Sequence, residues 1–190
     1  MRSLDEILAG VDAGLIVLAE TSAEGFQDLN PGVVRRVTEA GYNAVIITIN
    51  NPSPILKKAY EKSGIDTERV YYIDAITRYA LGTLPENDDP NTCYVSQPGN
   101  LTDIGIELNK SLAALDGKKV CVIIDSINTM LIYVPTETLV KFIHFVSNKL
   151  RLLQCLGIYL STGGSIDPML SSQLRSFSDV YIEVKKEDKS

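Results

Sequence analysis

Short apolar runs alternate along this chain with longer segments of helical periodicity. The runs are residues 15–19 (LIVLA), 44–49 (AVIITI), 70–73 (VYYI), 120–124 (VCVII), 158–160 (IYL) and 180–184 (VYIEV). Most are apolar at every position, as expected of strands covered on both faces; half-solvated strands alternate instead. After the first run, Asn30 and Pro31 read as a helix cap followed by proline at the first helical position. Gly41 reads as that helix's C-terminal glycine. Residues 52–64 (PSPILKKAYEKSG) predict a second helix with its own glycine stop. Leu101, Ile104, Leu108, Leu112 and Leu115 form one face of a third, with Asn100 as cap and Asp103 in its first turn. Residues 135–156 carry Leu139, Ile143, Val146, Leu150 and Leu153 on one face. Glu137, Lys141, His144, Asn148 and Arg151 lie opposite, which puts the single histidine on a solvated face. A short helix at 168–177 precedes the last strand.

Strand and helix alternate throughout, so the pattern predicts an α/β fold with a mainly parallel sheet and right-handed crossovers. Residues 84–99 (LPENDDPNTCYVSQPG) form the one long irregular stretch, with room for a short strand at 93–95. Residues 185–190 (KKEDKS) read as a polar tail. Neither repeat nor linker divides the chain, so a single domain over residues 1–190 is expected.

Composition narrows the function classes. Of 190 residues, 45% are apolar and 22% charged, ordinary for a folded domain. Lys and Arg number 18 against 24 Asp and Glu, a net charge of −6. That balance lacks the basic footprint of a nucleic-acid binder and does not attract anionic membranes. Cys93, Cys121 and Cys155 form no C-x-x-C pair, and with one histidine the usual zinc spacings cannot be assembled. The apolar setting of Cys121 suggests reduced, buried thiols. No apolar run approaches the ~18–20 residues of a membrane span. The opening MRSLDEILAG carries acidic residues where a signal peptide needs its apolar region, so a cytoplasmic location is expected.

In open parallel sheets, ligands sit beyond the carboxyl ends of the strands. Here those ends read Ala19-Glu20, Asn50-Asn51, Asp74, Asp125-Ser126 and Thr162-Gly163-Gly164. The most distinctive is VCVIIDS, residues 120–126, a buried apolar run ending in aspartate, as in the magnesium-supporting strand of P-loop NTPases.

In this order and spacing the segments resemble the archaeal KaiC-like ATPases of the RecA superfamily. GLIVLAE resembles their first strand. AVIITINNPSPILKKAYEKSGID resembles the second strand with its turn and helix, and RVYYIDAITR the third strand. NLTDIGIELNKSLAAL followed by VCVIIDSIN resembles the helix feeding the Walker B strand, and SFSDVYIEV a late strand. The resemblance implies a RecA-like three-layer α/β/α sandwich that associates through neighbouring copies.

The chain departs from that family where hydrolysis needs it most. The family's phosphate loop, G-x-x-x-x-G-K-[ST], places phosphates on backbone amides and lysine, and magnesium on a hydroxyl. Its counterpart here is ETSAEGFQ, residues 20–27, in which only Gly25 matches. Glu20 stands at the first glycine, Phe26 at the lysine and Gln27 at the hydroxyl, while Glu24 adds a second negative charge. Each carboxylate near a triphosphate costs about 1 kcal/mol or more at an effective dielectric of ~20. After the second strand the family carries adjacent glutamates, one a general base. This chain has Asn50 and Asn51, whose amides orient water without accepting its proton. Asp125 remains, and capping the turn after its strand is a sufficient role for it.

The reading that follows is a degenerate, non-hydrolysing KaiC-like domain with a regulatory or scaffolding role. It would act through a protein partner or as a homo-oligomer, with no catalytic residue, no metal and no cofactor. Its vestigial nucleotide-site positions are Glu20, Glu24, Gly25, Phe26, Gln27, Asn50, Asn51, Asp125, Ser126 and Thr162. One alternative is an ATP- and magnesium-dependent enzyme with an unconventional phosphate site around Gly25, Asp125 and Thr162, for which Arg78 or Arg175 would supply positive charge. The weakest is a recombinase paralogue on single-stranded DNA. Asp74 and Asp125 sharing a metal, and residues 161–165 (STGGS) donating amides to phosphate, are set against ordinary turn chemistry. Ser126 lacks the G-x-S-x-G elbow of a serine hydrolase, and a phospho-receiver would need a late-strand lysine that is missing. Tyr71, Tyr72, Tyr79, Tyr94 and Tyr133 suit core-edge packing or an interaction surface. The apolar stretch 129–135 (TMLIYVP) is a candidate self-association patch.

Overall fold

A computed structural model describes residues 4–10, 14–85, 89–164 and 166–184. The predicted tail at 185–190 and Ser165 of the 161–165 turn lie outside the described residues. In chain order the elements are α1 (Leu4–Ala9), β1 (Ile16–Thr21), α2 (Phe26–Glu39), β2 (Asn43–Thr48) and α3 (Ser53–Lys62). A 3-10 turn at Thr67–Arg69 leads to β3 (Val70–Asp74), α4 (Thr77–Leu81), β4 (Thr92–Tyr94), α5 (Leu101–Ala114) and β5 (Val120–Asp125). Then follow α6 (Ile127–Tyr133), α7 (Thr136–Leu152), β6 (Leu156–Thr162), α8 (Pro168–Phe177) and β7 (Val180–Glu183).

The strands form one sheet in the order β4-β3-β2-β5-β6-β1-β7, every pair parallel. Alternate strand residues divide between two cores. Val17, Ala44, Ile46, Cys121, Ile123 and Ile158 face α1, α2 and α3; Ile16, Leu18, Val45, Ile47, Val122 and Tyr159 face α5, α6, α7 and α8. Both faces are therefore covered, and the uninterrupted apolar runs follow from that. This is the three-layer α/β/α sandwich expected from the sequence. The crossover helices lie on the two faces, and the register lines up Asp74, Thr48 and Asp125 in one row at the carboxyl ends.

Local signals misplaced one boundary. Helix α2 starts at Phe26, so Pro31 lies inside it and Asn30 is a buried helical residue, not a cap. The apolar stripe of Leu29, Val33, Val34 and Val37 runs back across the proline and continues to pay for the helix there. Pro31 sits so near the start that it removes a single intrahelical donor, the one that would reach Gln27. Helices α1 and α6 were not anticipated; α6 draws 127–133 into a helix that buries Ile127 and Met130. The irregular stretch holds β4 one residue earlier than expected. His144 is exposed as predicted, and the three cysteines are unpaired, Cys121 fully buried. No helix among the described residues is long and apolar enough to cross a membrane.

Candidate functional site

The site is built where β1, β2, β5 and β6 end. Asp125 closes β5 with its side chain on the α2/α3 side, 1% exposed. Its Oδ2 accepts a 2.8 Å hydrogen bond from Nδ2 of Asn30 on α2. Asn30 Oδ1 in turn accepts the hydroxyl of Tyr60 on α3. The other carboxylate oxygen, Oδ1, is buried with no hydrogen-bond partner among the described residues. Loss of solvent pushes the Asp125 pKa up to about 6, against the opposing pull of the Asn30 hydrogen bond. Burial raises the Tyr60 phenol too, reinforced by the charge of Asp125 beside it.

The loop from β1 to α2 spans only residues 22–25. Its Ser22, Ala23 and Glu24 are exposed, as is Gln27, while Phe26 is half-buried against the α1/α2 core. Gly25 is required by space: a Cβ there would stand 2.6 Å from Thr21 Oγ1. Its amide donates to the Ser22 carbonyl at 3.1 Å. Glu20 lies within β1 and turns to the opposite face from Asp125. There it is 4% exposed and accepts from Arg175 of α8 at 3.3 Å. The Arg175 guanidinium stacks 4.0 Å over the Tyr181 ring. Arg175, one of the two residues proposed to supply positive charge, is thus engaged by Glu20.

Beyond β2, the carbonyl of Asn51 accepts the Thr48 hydroxyl, and exposed Asn50 accepts from Thr129 Oγ1 at 3.4 Å. Ser126 is fully buried and caps α6, its Oγ accepting the Thr129 amide at 3.3 Å. Asn128 ties α6 to β6: its Oδ1 accepts from the Thr162 amide at 2.8 Å and from the Ser161 hydroxyl at 3.1 Å. The Gly163 amide is spent on the Thr21 carbonyl at 2.8 Å. Asp74 takes the amides of Ser53, Ile76 and Thr77 at 2.7, 2.9 and 2.8 Å, which makes it an anchor for the starts of α3 and α4. Among the described residues no group of three or more His, Cys, Asp or Glu is gathered for a metal.

The fold therefore brings Asn50, Ser126 and Thr129 together, separates Glu20 from Asp125 across the sheet, and leaves Glu24 and Gln27 in solvent. Asn30, Tyr60 and Asn128 were missed by the sequence reading. Asn30 was disguised as a cap by the proline after it; the other two carry no local signal. On the same end of the sheet, Tyr79 of α4 and Tyr133 of α6 meet edge to face at 6.0 Å. Ile132 is 74% exposed, and Tyr79, Leu81 and Leu84 are exposed as well.

Residues 15–184 match the family of unknown function DUF7504, and the chain belongs to that family. No curated protein matches it. Among solved structures it is similar to the KaiC-like protein PH0186 from Pyrococcus horikoshii, with a TM-score of 0.61 and 13% identity over 94% of this chain and 75% of that one. The uncharacterized protein PH0321 from Pyrococcus horikoshii, solved in complex with an unknown peptide, gives a TM-score of 0.61 and 14% identity over 90% and 77%. The flagellar accessory protein FlaH from Methanocaldococcus jannaschii gives 0.58 and 13% over 96% and 76%. These likenesses establish the RecA-like fold.

Proposed function

We propose that this DUF7504 member is a non-hydrolysing relative of the KaiC-like ATPases that works as a regulatory or scaffolding protein, through a protein partner or self-association. The observation that carries the reading is the enclosure of Asp125. A magnesium-supporting carboxylate must present oxygen to a hydrated cation at the phosphate loop. Asp125 instead gives one oxygen to Asn30 and buries the other, under a helix with Phe26 at the lysine position. The amides of Gly25, Thr162 and Gly163, which an unconventional phosphate site would need, are bonded within the fold, and Arg175 is engaged by Glu20. These observations speak against the ATP-dependent alternative.

An exposed apolar cluster around Ile132, Tyr79 and Tyr133 supports the partner-binding half of the reading, because aromatic and aliphatic side chains of this kind anchor interfaces. The peptide seen with PH0321 is a precedent on the same fold. The test is thermal unfolding with ATP, ADP and magnesium at millimolar concentration. A ligand at ~100 times its Kd stabilises by about 2.7 kcal/mol, several degrees for a domain of this size. No shift with any nucleotide is expected; a clear shift would overturn the reading.

A further inference from the structure

We infer that the exposed apolar surface of α4 and α6 docks a second copy of this chain, in a two-fold dimer that sets α4 of each copy against α6 of the other. This rests on the partner-binding reading above and commits it to self-association at a named surface. Thr77 is the only buried residue of α4, and residues 78–84 are exposed without a break. A five-residue helix with no buried stripe lacks the packing that ordinarily holds a helix, and its free surface is open to a partner. Helix α6 buries Ile127 and Met130 and turns Ile132 outward. The two helices meet through Tyr79 and Tyr133, edge to face at 6.0 Å.

The surface has the area that a dimer needs. At about 200 Å² for a fully exposed large side chain, exposures of 74% at Ile132, 54% at Tyr79 and 62% at Leu81 leave roughly 380 Å² of these side chains in solvent. A standard interface takes ~800 Å² from each partner, a little over half of it apolar, or roughly 450 Å². Three side chains therefore supply most of the apolar share.

Charge selects the second copy. At a net charge of −6, two copies repel wherever carboxylates face each other. Residues 75–84 (AITRYALGTL) and 126–136 (SINTMLIYVPT) contain none of the chain's 24 Asp and Glu. Arg78 flanks the surface beside Tyr79, and Glu137 lies one helical turn beyond Tyr133. Both are exposed, and neither holds an ion pair among the described residues. A two-fold axis exchanges α4 with α6, which brings Arg78 of each copy opposite Glu137 of the other.

Light scattering on the full chain over roughly 5–500 µM tests this. The mass should rise from 20.8 kDa toward twice that value and no further. Ile132→Glu should raise the dimer Kd at least about tenfold while the circular dichroism of the monomer stays unchanged. Arg78→Glu and Glu137→Arg should each weaken the dimer about threefold to tenfold, and the double variant should recover wild-type affinity. A mass of 20.8 kDa throughout, a larger assembly, a dimer indifferent to Ile132→Glu, or charge variants that do not rescue each other would overturn the inference. The nucleotide test is independent of these outcomes: a monomer that shows no nucleotide shift would sink the dimer and leave the non-hydrolysing reading standing.

Discussion

Replacing Asp125 with asparagine removes a buried carboxylate supported by a single donor. Its pKa of about 6 stands roughly two units above the ordinary aspartate value; at about 1.4 kcal/mol per unit, ionising it in the folded protein costs about 3 kcal/mol. The sign follows from proton binding: the folded state holds this proton more tightly than the unfolded one. Stability from this group is therefore full below pH ~4, falls as pH rises through the folded pKa, and stays low above it. In Asp125→Asn the side-chain carbonyl still accepts from Asn30, but the new amide nitrogen takes the place of the unpartnered oxygen and costs about 1–3 kcal/mol. The variant should be at least as stable as wild type at pH ~7.5, by up to about 2 kcal/mol or a few degrees in Tm, and less stable than wild type at pH ~4. Urea unfolding of both proteins across that range measures the difference, and subtracting the two curves cancels the other carboxylates. A variant less stable at pH ~7.5, or a difference that does not change with pH, would refute the account of Asp125 as an uncompensated buried charge.

Asn30→Ala strips Asp125 of its donor and Tyr60 of its acceptor, so a loss of about 2–4 kcal/mol is expected in the same unfolding assay; Tyr60→Phe should cost less, about 1 kcal/mol. On the proposed reading, Phe26→Lys supplies a cation at the loop after β1 but no base, since Asn50 and Asn51 cannot accept a proton from water. Phosphate release should stay at the no-enzyme blank, and steady turnover from this single variant would contradict the reading.

Most of the strands were legible because they are apolar at nearly every position, the pattern that burial on both faces demands. The start of α2 was not, because Asn30-Pro31 is a good local cap, and the burial that overrides it comes from strands distant in sequence. At the site, the residue types were legible and their relations were not. VCVIIDS announced a buried strand ending in aspartate, but nothing near it in the chain says that Asn30 and Tyr60 would enclose that aspartate. Likewise ETSAEGFQ suggested two carboxylates in one loop. Strand parity turned Glu20 to the α8 face, while Glu24 lies beyond the strand in an exposed turn.

The sequence by itself determined the alternation of buried strands and helices in this protein and its acidic balance, since short-range periodicity and composition carry those. Only the tertiary structure decided which polar groups are satisfied and which are stranded. Hydrogen-bond partners and desolvation depend on side chains brought together from separate elements, and on the water their packing excludes.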